Sequence, residues 1–182
     1  LNADDEYCMK LANELNCNIA YFSMDEDSET VKKLSKQGEI VAVYENGFIT
    51  IKKGEWKIRV ERATHVPLTL GGKAKFMIAN VLAATLAAYL QGFKIEDISL
   101  SLQTFIPSAA QTPGRMNIFD FKKFKVLIDF AHNPSGYKGV EEYLSTVEAT
   151  KKIGIIAGVG DRRDEDIKEC AMIAARMFDH II

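Results

Sequence analysis

The chain lacks any apolar run long enough to cross a bilayer. Its longest apolar-rich stretch, residues 76–90, is broken by Asn80, Thr85 and Tyr89, whereas a spanning helix needs about 20 apolar residues. A basic surplus is also missing. Its 23 Lys and Arg face 25 Asp and Glu, for a net charge of −2, which argues against nucleic acid or an anionic membrane as partner. Cysteine is scarce: Cys8, Cys17 and Cys170 have no metal-ligand spacing, and their odd number argues against a disulfide framework. They read as small buried hydrophobes in a reducing cytoplasm. No secretory leader is visible, since acidic Asp4, Asp5 and Glu6 follow the first residue almost at once. Internal repeats and low-complexity segments are absent as well. So is a phosphate loop. "LGGKAKF" (70–76) imitates one, but Pro67 and Ala74 stand where the motif needs Gly and Ser or Thr.

What is present is ordinary for a globular protein, with 47% hydrophobic and 26% charged residues over 182 positions, enough for one or two domains. Residues 6–15 have helical spacing, 18–23 read as a short strand, and 29–37 as an exposed helix. "EIVAVYENGFITIKKGEWKIRVER" (39–62) carries the clearest β signal: two extended runs flank Asn46-Gly47, and a third follows Lys53-Gly54. Residues 75–92 form an Ala- and Leu-rich helix closed by Gly92, and 94–105 a shorter one. "IPSAAQTPGR" (106–115), with two prolines and a glycine, is the candidate domain linker. Beyond it come a strand pair around Lys122-Lys123, then helix, strand, helix and the start of a strand. Near-continuous apolar strands alternating with helices predict a parallel sheet covered on both faces. The chain opens on "LNADD" without Met and stops on "FDHII", so both ends read as cuts in something longer.

Ligands of an open parallel sheet sit beyond the carboxyl ends of its strands. Two polar clusters fall there: Asp129, Phe130, Ala131, His132 and Asn133, and the loop "GVGDRRD" (158–164). Each precedes a helix N-terminus, which favours anions. Asn133-Pro134 is equally well explained as an N-cap followed by a first-turn proline. Asp129 closes an apolar strand and needs a partner, water or a ligand hydroxyl. His132 is either a satisfied loop histidine or a ligand contact. Arg115 follows Pro113-Gly114 at the linker and is either a surface arginine or a phosphate clamp. Asn80 shares a helical stripe with Phe76, Ala83 and Ala87. Its amide either bonds nearby backbone or reads the edge of a flat ligand. His65 and His180 are given no role, and Trp56 is read as packing.

The ordered series "GRMN", "VLIDFAHNPSGY", "GVGDRRDED" and "AARMFDHII" resembles the C-terminal region of the Mur ligase superfamily, and within it the cyanophycin synthetase family. "LNADD", "PLTLGG" and "IANVLAA" resemble the later part of that superfamily's central ATPase domain. The resemblance covers essentially the whole chain. It implies an α/β fold in two parts: residues 1–110 as the end of a P-loop ATPase-type central domain with a small β-sheet, and residues 111–182 as the start of an incomplete Rossmann-like parallel α/β domain, with ATP between them. It implies a ligase that phosphorylates a carboxylate with ATP and forms an amide through the acyl phosphate. Aspartate would be added by this half and arginine by another, on a poly-Asp/Arg primer, in the cytoplasm, with a homo-oligomer left open. Carried over by position, Asn80 contacts adenine, Arg115 the phosphates and Asp129 the ribose, while Phe130 lines the base and His132 lies near the phosphates beside Asn133. Arg115 and His132 take the catalytic roles. Asp161, Arg162 and Arg163 face the incoming amino acid. The phosphate loop and the Mg2+ ligands are expected upstream of Leu1, which leaves this chain alone inactive. The alternatives are a peptidoglycan-precursor or folylpolyglutamate ligase, and a non-catalytic nucleotide-binding module.

Overall fold

The computed structural model describes every residue except Val159 and Asp161. It contains two compact units, Leu1–Ile106 and Pro107–Ile182.

The first unit is a four-stranded sheet with helices on both faces. Helix α1 (Glu6–Ala12) precedes β1 (Tyr21–Ser23), α2 (Glu29–Lys36), β2 (Ile40–Glu45), β3 (Phe48–Lys53) and β4 (Trp56–Arg62). Two single-turn helices, Ala63–His65 and Pro67–Thr69, lead into α3 (Lys75–Leu90) and α4 (Ile95–Thr104). Strand order follows the sequence; β1 runs parallel to β2, and the other pairs are antiparallel. The β2–β3 hairpin closes through Asn46-Gly47 with Glu45 opposite Phe48. Both turn residues have positive φ, 50° and 85°, the pair of left-handed conformations for which Asn-Gly is suited.

Alternation along β2 divides the interior. Ala42 joins Ile49, Ile51, Ile78, Leu82 and Leu86 under α3 and α4. Val41 and Val43 join Tyr21, Val31 and Leu34 under α2. Helix α2, expected to be exposed, therefore buries one face. Gly92 has φ 84° just past the end of α3, as its capping role requires. No cysteine is fully buried, contrary to expectation: Cys17 is exposed, while Cys8 and Cys170 are partly so. The reason for Cys8 is that α1 buries none of its residues.

The second unit contains β5 (Asn117–Asp120), β6 (Lys125–Ile128), α5 (Pro134–Ser145), β7 (Ile153–Gly154), α6 (Asp164–Met177) and β8 (His180–Ile181). Helix α5 packs on α6 through Tyr137, Ile173 and Ala174, with Phe178 and Ile156 alongside. The alternation of strand and helix and the parallel β7–β8 pair make this an incomplete Rossmann-like unit. The single covered parallel sheet expected from the apolar runs is not what forms. Strands β5 and β6 make one antiparallel pair and β7 and β8 a separate parallel one. Apolar runs report a tendency to be buried but not a partner. Here Ile155 is 82% exposed and Ile128 48%. Among the described residues no helix is long and apolar enough to cross a membrane.

Candidate functional site

The antiparallel pairing of β5 and β6 sets Asn117 opposite Ile128, so the loop before β5 lies against the segment after β6. Two bonds from backbone N–H groups fix it there. The Met116 N–H donates to Asp129 Oδ2 at 2.9 Å, and the Phe130 N–H donates to the Gly114 carbonyl at 2.7 Å. This brings Arg115 beside the strand end, with its guanidinium carbon 5.6 Å from the centre of the Phe130 ring. That separation suits cation–π attraction. Phe130 is 62% exposed, so most of the ring remains available. Asp129 keeps its second oxygen, Oδ1, clear of the Met116 bond.

His132 stands 5.1 Å from Phe130, centre to centre and tilted by 51°. Its Nδ1 lies 2.8 Å from the Phe130 carbonyl oxygen. A carbonyl only accepts, so Nδ1 carries the proton and Nε2 is the nitrogen left for a ligand. Helix α5 starts immediately afterwards. Asn133 caps it by accepting from the Gly136 N–H at 2.8 Å, with Pro134 in the first turn. The local reading of Asn133-Pro134 thus describes the geometry, and the amide oxygen is already engaged.

On its other side His132 helps line a cavity of about 150 Å³ with Tyr137, Ile156, Arg162, Asp166 and Cys170. Arg163 does not point a free guanidinium at this cavity. It forks onto Asp166, Nε to Oδ2 at 3.0 Å and Nη2 to Oδ1 at 2.9 Å, and that bond holds the Asp166 carboxyl below the usual range. Arg162 is thereby the cation that faces the cavity. Burial pushes the Tyr137 phenol up, with Cys170 adding to the effect. The Cys170 thiol is raised by burial and then by the charges of Asp166 and Glu169.

The structure therefore unites Arg115, Asp129, Phe130 and His132, and joins Arg162 to them through the cavity His132 shares. Asp161 lies outside the described residues. Asn80 belongs to the other unit. It is exposed on α3, with Nδ2 3.7 Å from Met77 Sδ, on a stripe where Ala87 is also exposed and Phe76 and Ala83 are half-buried. The sequence reading overlooked Asn117. Its signal was an amide two residues after a glycine-arginine turn, at the start of a strand.

The cluster offers cationic donors, a carboxylate oxygen, an exposed aromatic ring and a free imidazole nitrogen. It can hold a ligand that combines a flat ring, hydroxyls and an anion. Among the described residues no group of three or more His, Cys, Asp or Glu side chains could hold a metal ion.

No family model matches the chain. It is 49% identical, over all 182 of its residues, to 20% of the cyanophycin synthetase of Trichormus variabilis. Against 21% of the Synechocystis enzyme of the same name it is 45% identical, again over its full length. Among solved structures it resembles MurF ligase from Thermotoga maritima in complex with ADP, at 13% identity and a TM-score of 0.55, covering 97% of this chain and 42% of that one; at that identity the likeness speaks for the fold alone. The chain thus spans about a fifth of the curated relatives it matches. From its first residue to its last, it is similar to the Mur ligase-like region of cyanophycin synthetases.

Proposed function

We propose that this chain is part of an ATP-dependent ligase that forms amide bonds through an acyl phosphate, and that Pro107–Ile182 supplies its nucleoside-holding face. One observation carries the reading: Arg115, Asp129, Phe130 and His132, drawn from both sides of the β5–β6 hairpin, converge on one strand end. Asp129 Oδ1 would accept from ribose hydroxyls, Phe130 would lie against the base, and Arg115 and His132 Nε2 would reach the phosphates. Asn133 would act through its cap of α5. Arg162 would hold the carboxylate of the incoming amino acid at the cavity beside His132. The similarity to cyanophycin synthetases supports aspartate as that amino acid, arginine as the second building block added elsewhere, and an Asp/Arg polymer as primer, in the cytoplasm. Phosphoryl transfer depends on metal and phosphate positioning. Mg2+ ligands upstream of Leu1 remain part of this reading, and the bound ion would neutralise charge on the phosphates.

The test is amide formation by the complete protein with ATP, aspartate and primer. Arg115→Ala and Asp129→Ala should each raise KM for ATP or abolish turnover. Unchanged kinetics in both would refute the nucleoside-holding role. The 182-residue chain by itself should form no amide under the same conditions.

A further inference from the structure

Asn117 is 6% exposed, and a buried amide must find partners. It finds them all in the preceding loop. Its Oδ1 accepts from the Gly114 N–H at 2.8 Å, and its Nδ2 donates to the carbonyls of Thr112 at 3.0 Å and Arg115 at 3.4 Å. One side chain thus bonds three residues of the turn, Thr112, Gly114 and Arg115. Between it and Arg115 stands Met116, buried, with φ 50°. A non-glycine residue held in the left-handed region is strained, so the turn persists because its surroundings impose it. The Met116 N–H is fixed to Asp129. The backbone of Arg115 is therefore gripped from both directions, at its own carbonyl and at the next N–H, while its exposed side chain is left to lie over Phe130.

We propose that Asn117 is a positioning residue: its amide sets the backbone of Arg115 so that the guanidinium is presented beside Phe130 and Asp129, and through Arg115 it governs the grip on an anionic phosphate group. This rests on the nucleotide reading above. Asn117 touches no ligand in this scheme. The hydrogen bonds it makes are those that decide where a neighbouring cation points.

The experiment is a double-mutant cycle in the complete protein, with ATP saturation kinetics for wild type, Asn117→Ala, Arg115→Ala and the double variant. The expected result for Asn117→Ala is about a tenfold fall in kcat/KM for ATP, the scale of one lost hydrogen-bonded anchor, expressed mainly in KM. The double variant should be no worse than Arg115→Ala, because a guanidinium that is absent cannot be misplaced. Asn117→Ser, whose single hydroxyl keeps part of the bonding to the turn, should fall between wild type and Asn117→Ala. If Asn117→Ala does not fold, the cycle is read with Asn117→Ser. Additive losses in the double variant overturn the inference, as does a lowered melting temperature with KM unchanged. If Arg115→Ala cripples the enzyme while Asn117→Ala matches wild type, the inference fails and the nucleotide reading stands. If Arg115→Ala is itself silent, the inference fails too, and the nucleotide reading falls with it only when Asp129→Ala is also silent.

Discussion

At the scale of single residues, electrostatics in the first unit makes its own test. Glu61, at the end of β4, accepts from the Arg62 N–H at 2.7 Å, the Ser99 hydroxyl at 2.8 Å and the Gln103 amide, and pairs with His65 Nδ1 at 3.0 Å. Burial pushes the carboxyl up, but the bonds from Gln103, Arg62, Ser99 and His65 outweigh it and hold the group below the ordinary glutamate range. A carboxyl lowered by folding contributes stability that is complete above the unfolded value of about 4.3 and fades as pH falls through the folded one. Glu61→Gln should therefore lower the melting temperature at pH 7, with the gap to wild type narrowing below about pH 4, where the wild-type carboxyl also takes up a proton. Thermal unfolding at a series of pH values checks this; a gap independent of pH would mean that the ionised form contributes nothing. His65, assigned no role from sequence, thus has a structural one beside the carboxylate that ties β4 to α4.

Elements show which contacts are tight. An added Cβ at Gly154 in β7 would come within 2.3 Å of the Phe178 ring, which closes α6. Gly154→Ala must displace that ring, and overpacking of this kind costs about 1–3 kcal/mol. Denaturant unfolding followed at Tyr137 or Tyr143 in α5 should move to lower concentration by a corresponding amount. An unchanged midpoint would mean that Phe178 swings away freely. The same scale shows what could be read in advance. The β2–β3 hairpin, α3 with its Gly92, and α5 with its Asn133 cap were all legible, because each is written in neighbouring residues. Parallel pairing of β1 with β2 was not, since it joins Tyr21 to Val41 across a helix. Nor were the single turns at 63–65 and 67–69, too short for any periodicity. Asp129 and His132 stood out as polar groups at a strand end. That one carboxylate oxygen of Asp129 is taken by the Met116 backbone could not be seen, because the bond depends on β-register 13 residues away.

The whole molecule carries little charge, −2 overall with a pI near 6.0, and so little self-repulsion. It also displays an apolar strip: Phe119, Phe121, Phe124, Val126 and Ile128 of the β5–β6 hairpin are all at least a third exposed, with Phe121 and Phe124 stacked at 5.0 Å. Exposed apolar surface and low charge together favour association. The chain should scatter most light near pH 6 and less at pH 8, and Phe121→Lys should reduce the scattering at both. Equal scattering by variant and parent would place the sticky surface elsewhere. The divided carboxylate of Asp129 has a practical consequence at this scale. A 20.3 kDa chain is small enough for residue-resolved proton–nitrogen spectra. The Met116 amide, bonded to one oxygen, then acts as a built-in gauge of whatever arrives at the other. A proton, a cation or a sugar hydroxyl would each move that single resonance by withdrawing electron density from its acceptor, so occupancy of the strand end could be followed without any label on the ligand.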